Sequence, residues 1–240
     1  MSAAVPHNTL TRENTVILAC NSMLTHVKAA QTAMGTEIPV LEAAWELHQQ
    51  PEQMRLYLQQ TLHSLSPAVT TVLAAMGFCG GAWERITVDR QVVIPNLDDC
   101  YTMLLQTGDR QIGNLKQPGH LYFRDSDTAE RSPRAFLRQL CERYGTEVGT
   151  AIFGAYFGEY AHGEMIDTGA YDCWDESFVA DVQESADLVR CDLGYVTGSN
   201  RILEKLVSGR WDAQFLVFPP GHTIQEADFS LGNGAPRLLY

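Results

Sequence analysis

No stretch of this 240-residue chain is apolar for the roughly 18–20 residues that a membrane-spanning helix needs, so no membrane association is expected. The opening segment, MSAAVPHNTLTREN, lacks the charged-then-apolar order of a secretory signal. The expected location is therefore cytoplasmic, where structural disulfides are rare. Basic residues are scarce: Lys and Arg number 17 against 29 Asp and Glu, giving a net charge of −12, and they form no cluster. That excludes a nucleic-acid surface, because neutralising phosphates takes clustered cations. There is no C-x-x-C pair, which sets aside zinc ribbons and thioredoxin-like redox sites. Nor is there a G-x-G-x-x-G, Walker A, G-x-S-x-G or H-E-x-x-H motif, so nucleotide, serine-hydrolase and zincin chemistries have no anchor. Internal repeats and low-complexity linkers are absent as well.

What is present is ordinary globular material, 45% hydrophobic and 19% charged, in a chain long enough for one large α/β domain or two small lobes. Apolar runs and amphipathic stretches alternate. TVILAC (15–20), TTVLAAMGF (70–78) and QVVIP (91–95) read as buried parallel strands. IPVLEA (38–43), GHLYF (119–123), EMIDTG (164–169), the stretch 191–196 and QFLVFPPG (214–221) supply further strands. Helices are expected between them, among them PEQMRLYLQQTLHSL (51–65), DCYTMLLQTG (99–108), SPRAFLRQLCERYG (132–145) and ESFVADVQESADLV (176–189). The expected fold is α/β, a mainly parallel sheet flanked by helices. Residues 1–14 read as a flexible segment, 15–229 as one α/β domain with a lobe boundary near 110–130, and 230–240 as a tail.

Three of the six cysteines follow strand-like runs: Cys20 after TVILA, Cys79 after TTVLAAMGF, and Cys100 shortly after QVVIP. In an open α/β sheet the carboxyl ends of parallel strands share one edge, where ligand crevices form. Three thiols delivered there point to a metal site with an open coordination position. A 4Fe–4S cluster is favoured over zinc, because ligands arriving from separate strands resemble cluster enzymes more than zinc fingers. Zinc would take His120, His162, Asp98 or water as a fourth ligand. Each cysteine precedes a helix or lies in a glycine-rich turn, contexts expected to favour thiolate. Asp98 and Asp99 oppose that unless a cation is present; they are candidate proton-handling groups, although capping alone accounts for Asp99. Gly80 and Gly81 flank Cys79 and are candidate cofactor contacts. His162 is a further catalytic candidate, with Thr168 and Gly169 as binding residues at a strand-to-loop position. Free cysteine also behaves as a small buried hydrophobe, which is the reading for Cys141, Cys173 and Cys191.

The segments FCGGAWERI, VVIPNLDDCYTMLLQTGDR, GHLYF, IDTGAYD and GRWDAQFLVFPPGHTI together resemble the DUF1638 family, over about residues 15 to 229. The resemblance maps the family's three cysteines onto Cys20, Cys79 and Cys100; where the family usually has Cys-Gly after the first strand, this chain has Cys20-Asn21. It also implies a link to anaerobic one-carbon metabolism, since members neighbour corrinoid-dependent methyltransferases acting on methylamines and betaines. Two roles are then open. One is a metal-dependent enzyme acting on a small molecule. The other is a non-catalytic accessory protein that binds a metal, a corrinoid or a methyltransferase partner.

Overall fold

The computed structural model describes residues 9–127 and 131–231, so the expectations for a flexible start and a tail fall, for residues 1–8 and 232–240, outside the described residues. In chain order the strands are β1 (Thr15–Cys20), β2 (Val40–Ala43), β3 (Thr71–Ala75), β4 (Gln91–Pro95), β5 (His120–Phe123), β6 (His162–Asp167), β7 (Asp192–Thr197) and β8 (Phe215–Phe218). The α-helices are α1 (Leu24–Met34), α2 (Pro51–Ser64), α3 (Cys100–Leu105), α4 (Pro133–Tyr144), α5 (Thr146–Phe157), α6 (Glu176–Val189) and α7 (Arg201–Val207). The chain forms two compact units. One runs to Leu115 and resumes at Asn200; the other is Lys116–Ser199.

In the first unit every residue of β1 is buried, which only an interior strand covered on both faces achieves. It pairs in parallel with β2 on one side and β3 on the other, and β3 pairs in parallel with β4. Strand β8 closes the edge antiparallel to β4, giving the order β2-β1-β3-β4-β8. Because side chains alternate along a strand, Val16, Leu18, Val72, Ala74, Val92 and Ile94 line one face, against Met54, Leu58 and Leu62 of α2. Each such large apolar side chain contributes about 1.5–3 kcal/mol by leaving water. The alternate residues Ile17, Ala19, Leu73, Ala75 and Val93 are as deeply buried. Helix α7 packs on β3 and β4 and also against α1. Helix α2 begins with Pro51 in its first turn, and α1 ends at Gly35, whose φ of 63° takes the left-handed cap.

The second unit is a three-stranded, wholly parallel sheet in the order β5-β6-β7. One of its faces is covered by α4, α5 and α6 through Leu140, Phe153, Phe157, Phe178, Val182 and Ala186, packed on Leu121, Phe123 and Met165. Ser132 caps α4 by accepting from the Ala135 amide, and Asp175 caps α6 by accepting from those of Ser177 and Phe178. The fold is α/β with mainly parallel sheets flanked by helices, as the alternation predicts.

Candidate functional site

The order β2-β1-β3-β4 contains a reversal. From β1 the chain moves out to β2, then returns to the far side of β1 to form β3 and β4. Such a switch point leaves a crevice outside the carboxyl ends of the two strands where the direction changes. Here those strands are β1 and β3. Cys20 is the last residue of β1, in register with Ala43; Ala19 is in register with Ala75, the last residue of β3. Cys79 follows β3 by four residues, and Cys100 follows the end of β4 by five, opening α3. Three adjacent strands therefore send their cysteines to one edge.

The turn after β3 is held to the segment after β4 by its main chain. The Phe78 amide donates to the Leu97 carbonyl (3.0 Å) and the Cys79 amide to the Asp98 carbonyl (2.7 Å). The approach is so close that a Cβ on Gly77 would lie 2.7–2.8 Å from Leu97 Cδ1 and from the carbonyl oxygens of Leu97 and Asp98. This is why the apolar run TTVLAAMGF stops being a strand at Ala75. Cys79, Gly80 and Gly81 then have φ of 49°, 65° and 100°. Glycine adopts such values freely, whereas Cys79 is in a conformation uncommon for a side-chain-bearing residue, the kind of local strain that gathers at functional sites. Among the described residues, nothing but the chain neighbours lies within 4 Å of a Cβ built on Gly80 or Gly81, so the outer side of the turn is open.

Around the thiols the polar groups are arranged in detail. Buried Ser22 donates its hydroxyl to Cys20 Sγ at 3.0 Å. Asp99 accepts from the Thr102 amide at 2.9 Å and so caps α3, as its position before the helix suggests. Asp98 is 8% exposed; its amide donates to the Gly113 carbonyl and its Oδ2 accepts from Asn114 Nδ2 at 3.4 Å. Burial pushes the Cys79 thiol well above its ordinary range, and Cys100, Asp99, Cys20 and Asp98 add to the effect in that order. The expectation that this turn favours thiolate is thus corrected for Cys79: burial comes first, and four acidic neighbours add to it. Sequence reasoning missed Ser22, whose only signal was its place two residues after Cys20, and Asn114, which lies 16 residues from Asp98 and gave none.

Among the described residues, no three His, Cys, Asp or Glu side chains are gathered into a ready-made metal cage. In kind and placement the donors nevertheless suit a soft metal, with three thiols on one sheet edge and a hydroxyl already donating to one sulfur.

The remaining candidates belong to the second unit. Thr168 and Gly169 follow β6 in a turn that largely satisfies itself. Gly169 and Ala170 donate their amides to Asp167 Oδ1 and Thr168 Oγ1, and the Tyr171 hydroxyl donates to the Ile166 carbonyl. His162 opens β6, at the other end of the strand from Thr168 and Gly169, and is not gathered with them. Its neighbours are His120 and Asp192, the first residues of β5 and β7 and its register partners. Cys173 and Cys191 are buried, as expected of structural residues; Cys141 is only partly buried.

Among the described residues no helix is long and apolar enough to cross a membrane. No curated protein and no solved structure matches the chain. The family described as "Protein of unknown function (DUF1638)" matches residues 43–207, a span that includes Cys79, Cys100 and the whole second unit but not Cys20. With more than half of its length matched, the chain belongs to the DUF1638 family.

Proposed function

We propose that the edge carrying Cys20, Cys79 and Cys100 is a thiolate site for a metal, a 4Fe–4S cluster in first place and zinc in second. We further propose that the protein is an enzyme using the remaining coordination position on a small molecule of anaerobic one-carbon metabolism. One observation carries the metal reading: adjacent strands β1, β3 and β4 each deliver a cysteine to the same edge, beside the point where strand order reverses. The one-carbon assignment, and a corrinoid protein or methyltransferase as partner, rest on the family resemblance alone.

When bound, such a group supplies a Lewis-acidic position that polarises a nitrogen, oxygen or sulfur. The chain's own residues divide the remaining tasks. Ser22 fixes the Cys20 sulfur through its hydroxyl. Asp99 holds the first turn of α3, and with it Cys100, by capping. Asp98, buried and joined to the Cys79 turn by main chain, is the carboxylate placed to hold a proton beside the site. Gly80 and Gly81 keep the outer side open to a substrate.

The test is anaerobic purification of the full chain, followed by iron, sulfide and zinc analysis and an absorption spectrum. Broad visible absorbance with iron and sulfide identifies the cluster, and a colourless zinc protein the alternative. Cys20→Ala, Cys79→Ala and Cys100→Ala should each lose most of the metal, while Cys141→Ala, in the other unit, keeps it. Equal metal content in all four variants would overturn the site. Thiols, methylated amines and corrinoids are then added to loaded and stripped protein. A spectral change with a small ligand supports the enzyme, whereas corrinoid binding that ignores the metal makes the protein an accessory.

A further inference from the structure

The second unit holds a different constellation, at the amino-terminal edge of its sheet. His120, His162 and Asp192 are the first residues of three adjacent parallel strands and are in register, so their side chains form one row on one face. Tyr122 and Glu164 form the next row on that face. The two imidazole rings have centroids 4.8 Å apart and are tilted by 41°. His162 Nδ1 is hydrogen-bonded to Asp192 Oδ1 at 2.8 Å, which leaves its Nε2 as the nitrogen with a lone pair. His120 Nδ1 lies 3.0 Å from Glu164 Oε2, close enough for an ion pair, yet it is buried and forms no hydrogen bond there. Tyr122, in register with Glu164, accepts from the Gln117 amide through its hydroxyl at 3.1 Å.

We propose that His120 and His162 are a two-nitrogen site for a late first-row divalent ion of the zinc, nickel or copper kind, separate from the cysteine edge. Three observations carry it. Two imidazoles bound to one tetrahedral ion at bonds of about 2.0–2.1 Å have ring centroids about 5 Å apart, and the spacing here is 4.8 Å. A carboxylate on the far nitrogen is how metal-binding histidines are commonly oriented, and Asp192 occupies that place on His162. A carboxylate beside His120, that of Glu164, offsets the charge of an arriving cation. With two protein nitrogens the other coordination positions fall to water or an exogenous ligand, so the ion is exchangeable, and imidazole donors select late first-row metals over magnesium or calcium.

The experiment uses the full chain, stripped with a chelator under reducing conditions and titrated with Co²⁺. Absorbance and the histidine ring proton resonances are followed together. Expected is one Co²⁺ taken up with weak visible bands and no intense thiolate-to-metal band, shifting the ring resonances of His120 and His162. That event should vanish in His162→Gln, a change at a half-exposed side chain, and in His120→Gln. Asp192→Asn should weaken it about 10- to 100-fold. A thiolate band that persists in both histidine variants reports the cysteine edge and leaves the two sites distinguishable. The proposal is overturned if wild-type protein shows no band-free Co²⁺ uptake. It is also overturned if that uptake survives unchanged in both histidine variants, with circular dichroism showing them folded.

Discussion

At the scale of single residues, Gly77 has the sharpest requirement. A methyl group there would meet the main chain of Leu97 and Asp98 at 2.8 Å, and backbone cannot swing aside as a side-chain end can. Gly77→Ala should cost about 1–3 kcal/mol and separate the Cys79 turn from Cys100. A urea midpoint indistinguishable from wild type would show that the turn yields instead. Cys173 gives a second prediction. Burial first, and Asp167 next, raise its thiol to about 11 from the ordinary 9.0. The sign follows from which state loses its proton first. Below pH 9 neither state is ionised and the contribution to stability is complete. Between about 9 and 11 the unfolded chain releases the proton while the folded one keeps it, so stability declines as pH rises. The urea midpoint of the second unit, read from β6 resonances, should fall across that window, and part of the slope should disappear in Cys173→Ala. An identical slope in the variant would exonerate the thiol.

Elements tell a different story, because here local chemistry was readable. Asp99 was legible as a cap from its place before a short apolar helix, and it does cap α3. Its two roles can be separated: Asp99→Ala should cost about 0.5–2 kcal/mol, whereas Asp99→Asn, an equally good cap, should cost little. If Asp99→Asn is as unstable as Asp99→Ala, charge rather than capping is what Asp99 supplies. The strands β1 and β4 occupy the ranges that their continuous apolar runs predict, since full burial on both faces leaves no other pattern. Strand β3 stops short of its run because Gly77 answers to a neighbour distant in sequence, which no local pattern can show. The antiparallel direction of β8 was equally invisible, as QFLVF reads the same both ways along the sheet edge. The cysteine edge was legible because each thiol follows a strand. The row of His120, His162 and Asp192 was not, because it depends on register between strands 30 or more residues apart.

At the scale of the whole molecule, the first unit is completed only by residues after Ser199. Helix α7 covers β3 and β4, and β8 pairs with the exposed edge of β4. A chain stopped after Ser199 should therefore lose hydrogen-exchange protection in β1, β3 and β4, while β6 in the second unit stays protected. Uniform protection in both would mean that α7 and β8 are dispensable. The same order of elements matters on the ribosome. Cys20, Cys79 and Cys100 have all been made by residue 100, but α7, which packs on β3 and β4, begins at Arg201. At synthesis rates of about 5–20 residues per second, roughly 5–20 s separate those two moments. For that interval the nascent chain carries Cys20, Cys79 and Cys100 on a sheet that still lacks α7 and β8.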